Sequence, residues 1–219
     1  MISCGVIIPV HGRVTYLEDA LKSVYNQTHI PEQVIIISER LLPSYIDDYL
    51  YIPGFSVVYT QCDTLHKVNL AVRDLNTDAM LVLCDDDMLH PEYVEKTLQD
   101  MEDSGCDIVY TDMQMIGKED KIVKASEWKV KNFENTTVPF LTSLIKVFAW
   151  NRVGGYDASV YFVDWNFWWS CFDYGCTAHH LEEPLFIYRV HAGSYYMWMN
   201  VEKSTRECQD KHKERMEHK

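Results

Sequence analysis

Short apolar runs and amphipathic stretches take turns along the first 110 residues. Residues 3–10, Ser-Cys-Gly-Val-Ile-Ile-Pro-Val, are a continuous apolar run of strand length, the pattern of a strand buried on both faces. After the turn His11-Gly12-Arg13, Leu17, Ala20, Leu21 and Val24 recur at helical spacing as far as Gln27. Val34–Ile37 is a second buried run ending at Ser38-Glu39, and Phe55–Tyr59 is a third. Leu41–Leu50 predicts a short helix, Leu65–Leu75 a further helix, and Ala79–Leu83 a fourth strand. Strands that alternate with helices in this way predict an α/β fold built on a doubly wound, mostly parallel sheet.

The fourth run drives straight into three carboxylates, in Leu81-Val-Leu-Cys-Asp85-Asp86-Asp87-Met-Leu-His-Pro91. Pro91 then opens a helix reaching about Ser104. Adjacent aspartates repel one another and are hard to desolvate, so a fold that sets them at the end of a buried strand gives them a cation to hold. Hard oxygen ligands suit Mg²⁺ or Mn²⁺, which bring phosphate groups with them. The competing reading is a solvated acidic turn that caps the following helix. Ligands on parallel sheets sit at the carboxyl ends of the strands. His11, Glu39, Asp63 and Asp85–Asp87 all fall at those ends, which favours the cation site.

The second half loses the regular alternation. Cys106–Thr111 and Lys121–Lys124 predict strands paired around Gly117, and residues 138–148 predict a helix. Val153–Asp157 reads as a turn, and Asp164–Tyr174 as a helix with Trp165, Trp168, Trp169 and Phe172 at helical spacing. At least two of those tryptophans belong to a core, because large aromatics at that spacing usually do. Ala178–Leu181 and Pro184–Arg189 predict two strands; His179 and His180 read as incidental. Tyr195-Tyr-Met-Trp-Met199 is an apolar cluster suited to an acceptor wall, a subunit contact or a membrane-surface contact. From Glu202 onward the chain alternates charges, with pairs such as Glu207–Lys211, and predicts a solvated or partner-bound helix.

Composition narrows the classes. The chain has 219 residues, 47% hydrophobic, with a net charge of −13. That charge excludes a nucleic-acid binder, which would carry a basic stripe, and an anionic ligand must then be held locally by a metal and a few basic groups. The seven cysteines are odd in number and widely spaced, with no C-x-x-C, which predicts buried free thiols in a reducing compartment. No apolar run approaches the ~18 residues of a membrane span, and the first strand starts almost at Met1, so the expectation is a soluble cytoplasmic protein without a signal peptide. On that expectation the N-x-T triplets at Asn26 and Asn135 are not glycan acceptors.

Six stretches in order resemble family 2 glycosyltransferases of the GT-A fold, over nearly all of the chain except the tail. They are Val6-Ile-Ile-Pro-Val-His-Gly-Arg13 with the helix to Thr28, the strand Val34–Glu39, the acidic run as a DxD motif, Val153-Gly-Gly-Tyr-Asp157, Val163-Asp164-Trp165, and Pro184-Leu-Phe-Ile-Tyr-Arg-Val-His191 with Ser194. The resemblance implies one GT-A domain over residues 1–200, with a nucleotide-binding half to residue 110 and an acceptor-side half from 111, followed by the 201–219 tail. It implies metal-dependent, inverting transfer of a sugar from a nucleotide-diphosphate donor, with a UDP-sugar the first expectation, to a glycan, lipid-linked or protein acceptor. Asp164 matches the catalytic base; Pro9, His11, Glu39, Lys67 and Asp85 match the nucleoside side; Asp86, Asp87 and His191 match the metal. Counting back from Pro91 gives Asp86 to the metal and Asp85 to the ribose, whereas a literal D-x-D takes Asp85 and Asp87; Cys84 stands where the family often has another Asp. The absence of a membrane span argues against a processive polysaccharide synthase, while peripheral membrane contact stays open. Two other functions remain: a GT-A-like protein that binds a nucleotide sugar without transferring it, and a sugar nucleotidyltransferase, for which His11-Gly12-Arg13 is a poor phosphate loop.

Overall fold

A computed structural model describes residues 1–11, 14–62, 65–134, 138–194 and 201–217, apart from the side chains of residues 201, 203 and 204. The expectations for Gly12, Arg13, Asp63, Asn135 and the Tyr195–Met199 cluster lie outside these residues. The strands are β1 (Cys4–Val10), β2 (Gln33–Ser38), β3 (Phe55–Tyr59), β4 (Ala79–Val82), β5 (Met88–Leu89), β6 (Ile108–Gly117), β7 (Lys121–Val123), β8 (Leu144–Lys146) and β9 (Ala178–Val190). The helices are α1 (Leu17–Tyr25), α2 (Val68–Ala71), α3 (Tyr93–Ser104), α4 (Val130–Phe133), α5 (Val147–Val153), α6 (Val163–Asp173) and α7 (Val201–Glu217).

One sheet runs in the order β3-β2-β1-β4-β8-β6-β9-β5, with β7 paired to β6. β3, β2, β1 and β4 are mutually parallel, so their carboxyl ends share one edge. β8 runs antiparallel to both β4 and β6, and β9 lies parallel to β6. The sheet is thus mostly parallel, with β8 running antiparallel inside it and β5 and β7 antiparallel to their neighbours. Successive side chains of a strand face opposite ways, and both faces of β1 are covered. Val6 and Ile8 join a core with Leu17 and Leu21 of α1 and Val94 and Leu98 of α3. Ile7 joins the opposite core with Val68, Trp150 and the α6 aromatics. Continuous aliphatic runs are what such two-sided burial demands.

Several expectations need correction. Residues 138–148 do not form one helix: Leu144–Lys146 is the strand β8, and a helix begins only at Val147. Leu141, Leu144, Ile145 and Phe148 mimic helical spacing, but Ile145 pairs with Met80 of β4 on one side and Ile108 of β6 on the other. The gap between β4 and β6 fixes the strand. The two late strands are one, β9, whose pairing jumps from Leu181 to Phe186 while β6 advances only from Thr111 to Met113. Glu182, Glu183 and Pro184 fall in that irregularity, where a proline is tolerated. Leu65–Leu75 is broken into a 3-10 turn, the short α2 and a second 3-10 turn.

The tail helix α7 docks on its own chain. Cys208 is fully buried in the α6 core, and His212 stacks on Trp169 with ring centroids 4.6 Å apart. Asp173 accepts from Arg215 Nε at 2.6 Å and sits 2.8 Å from His212 Nδ1. Arg215 also donates to Asn166 Oδ1 at 3.0 Å. Its charged composition concealed this dock because a few anchors, not a continuous stripe, hold it. Trp165, Trp168 and Trp169 are all core, as expected.

Candidate active site

The site grows from the shared carboxyl edge of the parallel strands. Beyond β4, Leu83 N–H still donates to Ile7 O of β1 at 3.0 Å, so the chain reaches the edge before it turns. A tight turn follows, closed by Asp87 N–H to Cys84 O at 3.2 Å. Asp85 swings toward β1, where its Oδ2 accepts the His11 N–H at 3.0 Å. The chain then reverses into β5, which pairs antiparallel with Phe186–Ile187 of β9. That two-residue strand, invisible in the sequence pattern, carries the end of β9 to the acidic turn.

The side chains of Cys84, Asp86, Asp87, Arg189 and His191 meet there. His191 Nε2 lies 2.9 Å from Asp86 Oδ2. Asp87 Oδ1 accepts the Arg189 N–H at 2.9 Å, and Arg189 Nε donates to Asp86 O at 3.1 Å. Ligand atoms of Cys84, Asp86 and Asp87 lie within 4.8 Å of one another. Ser194 Oγ accepts the His191 N–H at 2.8 Å and donates to Arg189 O at 2.9 Å, which fixes the loop that aims the imidazole. Asp86 and His191 are partly exposed, whereas Asp85 and Asp87 are buried. Burial holds the Asp85 carboxyl up at about 6 against the opposing His11 N–H, with the Asp86 charge adding to the rise. Burial likewise drives Asp87 well above the usual carboxylate range, with Asp86 again adding. Crowded, part-desolvated carboxylates of this kind are stabilised by a divalent cation. The donor set of carboxylate oxygens with one imidazole fits Mn²⁺ or Mg²⁺, and the open Asp86–His191 pair is where it would bind.

The nucleoside-side candidates divide by depth. Glu39 is largely buried, with its Oε2 2.7 Å from Lys67 Nζ. Burial pushes the Glu39 carboxyl up, but the Lys67 hydrogen bond and charge outweigh it and leave the carboxyl below its ordinary value. Lys67 is fully buried and also donates to Val10 O, so it meets a ligand only through Glu39 and the β1 end. Pro9 is enclosed in β1 opposite Ile37, one layer beneath His11.

Asp164 lies in the first turn of α6, which begins at Val163 with no side-chain cap. Burial raises its carboxyl, against hydrogen bonds from its own and the Trp165 backbone N–H. Its charge acts on the Cys84 thiol, on Tyr156 and on Cys208. Asp164 is therefore near enough to Cys84, the residue before the acidic turn, for its charge to be felt there. The Gly154-Gly155 turn supports this wall: Asn69 bonds both the N–H and the C=O of Tyr156, at 2.9 Å and 2.8 Å. A Cβ on Gly155, whose φ is +74°, would stand 2.5 Å from Asn69 Oδ1, so only glycine fits.

Some participants escaped the sequence reading. Tyr16 lies beneath the Arg189 guanidinium, 4.4 Å from its ring centroid, and 5.2 Å from the His191 ring. Asp19 pairs with Arg189 at 2.9 Å. Neither belongs to a motif; only the fold brings α1 against β9. His180, read as incidental, sits 2.8 Å from the buried Asp112 and stacks on Tyr110.

Glycosyl transferase family 2 matches residues 5–157, more than two thirds of the chain. The chain belongs to that family. A relative from Bacillus subtilis (strain 168), described as the uncharacterized glycosyltransferase YwdF, is 24% identical over 181 residues, covering 75% of this chain and 66% of its own length. Among solved structures, S. aureus TarS 1–349 in complex with UDP-GlcNAc superposes with a TM-score of 0.77 at 12% identity, over 91% of this chain and 62% of TarS 1–349. The mannosyltransferase PcManGT from Pyrobaculum calidifontis, in complex with GDP-Man and Mn²⁺, gives 0.68 at 14% identity, over 90% and 59%. These likenesses establish the GT-A fold. This family 2 chain spans about two thirds of the length of these relatives or somewhat less. No described helix is long and apolar enough to cross a membrane.

Proposed function

We propose that this chain is a metal-dependent, inverting glycosyltransferase that moves a sugar from a nucleotide-diphosphate donor to an acceptor hydroxyl. The observation that carries the reading is the Asp86–His191 pair, 2.9 Å apart, with Asp164 near enough to the neighbouring Cys84 for its charge to act there. Asp86 and His191 would hold the cation; Asp87, whose carboxylate serves the Arg189 N–H, braces them from beneath. When bound, Mn²⁺ or Mg²⁺ would act as the Lewis acid that steadies the departing diphosphate. Glu39, pinned by Lys67, would offer its carboxylate to nucleoside donor groups, and Asp85, which accepts the His11 N–H, would face the ribose. Asp164 takes the proton of the acceptor hydroxyl as it attacks the anomeric carbon from the face opposite the leaving group. Its apolar surroundings raise its basicity, as a general base near neutral pH requires.

UDP is the donor nucleotide we favour, because TarS, which superposes over 91% of this chain, is described with UDP-GlcNAc. The acceptor is a glycan, lipid-linked or protein hydroxyl, bound by residues after 110. Cysteines without disulfides among the described residues suit a reducing, cytoplasmic setting. The test is donor hydrolysis: the protein is incubated with Mn²⁺ and a panel of nucleotide sugars, and release of nucleoside diphosphate is followed with and without chelator. Metal-dependent release from a UDP-sugar is expected. Failure of every donor to bind or hydrolyse in a metal-dependent way would refute the transferase reading.

A further inference from the structure

The C-terminal end of α6 brings two thiols together, away from the acidic turn. Gly175, at φ +74°, donates its N–H to Phe172 O at 3.0 Å, and Cys176 N–H donates to Cys171 O at 2.9 Å. These two bonds are the Schellman stop, whose geometry sets the third residue from the helix end against the residue after the glycine. That contact is ordinarily apolar. Here both positions are cysteine, Cys171 and Cys176, and both are buried.

A third group reaches over them from α5. Arg152 Nη2 donates to Cys176 Sγ at 2.9 Å and lies 3.6 Å from Asp107. The Arg152 side chain is 36% exposed, so its guanidinium is the lid between this sulfur and solvent. The two thiols are unequal. The Cys176 thiol is lowered to about 7, chiefly by a hydrogen bond from Cys171 and further by Arg152, against the effect of burial. Burial pushes Cys171 well above the ordinary thiol range. One sulfur is therefore about half thiolate at neutral pH, and its neighbour keeps a proton to give. Burial also raises Cys4, Cys106 and Cys208, which stay protonated. Reactivity toward oxidants follows thiolate character, and a neighbouring thiol turns oxidation into a reversible bridge.

We propose that Cys171 and Cys176 form a hydroperoxide-oxidisable dithiol that closes to a disulfide stapling the end of the Asp164 helix. The Cys176 thiolate attacks the terminal oxygen of the hydroperoxide and the O–O bond breaks. The departing alkoxide, or hydroxide from hydrogen peroxide, takes a proton from water. Cys176 is now a sulfenic acid, oxidised by two electrons, and the hydroperoxide is reduced to an alcohol or water. The Cys171 sulfur then attacks the Cys176 sulfur. The S–S bond forms, the S–O bond breaks, and the hydroxide leaves as water with the Cys171 proton. The sum is dithiol plus hydroperoxide giving disulfide, alcohol and water; an added dithiol reverses it.

The test uses the whole chain, reduced, desalted and treated with hydrogen peroxide, then alkylated and mapped by mass spectrometry without reduction. The expected result is a Cys171–Cys176 cross-link that dithiothreitol removes. Cys171→Ser should stop at a Cys176 sulfenic acid that dimedone traps. Arg152→Gln should slow oxidation at neutral pH by up to roughly fivefold and move the alkylation profile of Cys176 to higher pH, since raising a thiol from about 7 by one pKa unit cuts its thiolate fraction at pH 7 about fivefold. The wild-type map needs no variant to fold. Free alkylation of both Cys171 and Cys176 after peroxide treatment, or oxidation confined to Cys62 or Cys84, would overturn the proposal. So would an Arg152→Gln protein that oxidises as fast as the wild type.

Discussion

His191 Nε2 and Asp86 Oδ2 lie 2.9 Å apart although 105 positions separate them in the chain. Nδ1 of the same ring accepts the Gly193 N–H at 3.2 Å, so the neutral imidazole carries its proton on Nε2, between itself and Asp86. A divalent cation would take that proton's place, and a metal-free protein keeps the pair closed by itself.

Removing either partner should therefore weaken cation-dependent donor binding. Asp86→Ala and His191→Ala are each expected to lower the affinity for UDP with Mn²⁺ by about 10- to 100-fold or more. UDP affinity measured in chelator should change little. Isothermal titration in the two conditions checks this; unchanged Mn²⁺-dependent affinity in Asp86→Ala would shift the metal to Asp85 or Asp87.

Asp164→Asn should leave donor binding intact and lower turnover by on the order of 10²–10⁴-fold, the usual contribution of a positioned base. Because burial raises Asp164 and only its ionised form accepts a proton, kcat should fall as pH falls through a value above the ordinary aspartate range. A pH–rate profile whose acid limb sits at the ordinary carboxylate value would assign the base elsewhere.

Asp85 links the site to stability. Its carboxyl is held at about 6 in the folded protein, against 3.8 for an ordinary aspartate. The folded state binds this proton more tightly than the unfolded chain. The stabilisation is complete below about pH 4 and disappears as pH rises through about 6. Asp85→Asn, which has no proton to lose, should flatten the fall in melting temperature of metal-free protein across that window. An unchanged slope would mean that the carboxyl titrates normally.

Arg215→Met should cost about 3 kcal/mol, because it takes the guanidinium away from the buried Asp173 carboxylate. Adding Asp173→Asn should recover part of that loss. Denaturant unfolding of the single and double variants measures the coupling, and additive losses would show that α7 docks by other contacts.

Where a segment's own side chains settled its state, the sequence was enough. The aliphatic runs of β1, β2 and β4 require burial on both faces, and α1 shows its apolar stripe in four residues, Leu17, Ala20, Leu21 and Val24. The family motifs likewise singled out Asp86, Asp164 and His191 as candidates, and the fold brings Asp86 and His191 together. Leu144–Lys146 was not legible, because three residues become a strand only when β4 and β6 stand on either side. The same holds for β5, two residues whose pairing with β9 has no local signal.

The sequence by itself determined that carboxylates stand at strand ends and that a parallel sheet carries them, since periodicity and chain order are local properties. Tertiary structure alone decided that Asp86 meets His191 while Asp87 turns inward to the Arg189 N–H, that Lys67 serves Glu39, that Tyr16 lies under Arg189, and that α7 folds back onto α6. Each of those outcomes depends on which distant group reaches a polar atom first as water is excluded, and no window of neighbouring residues contains that information.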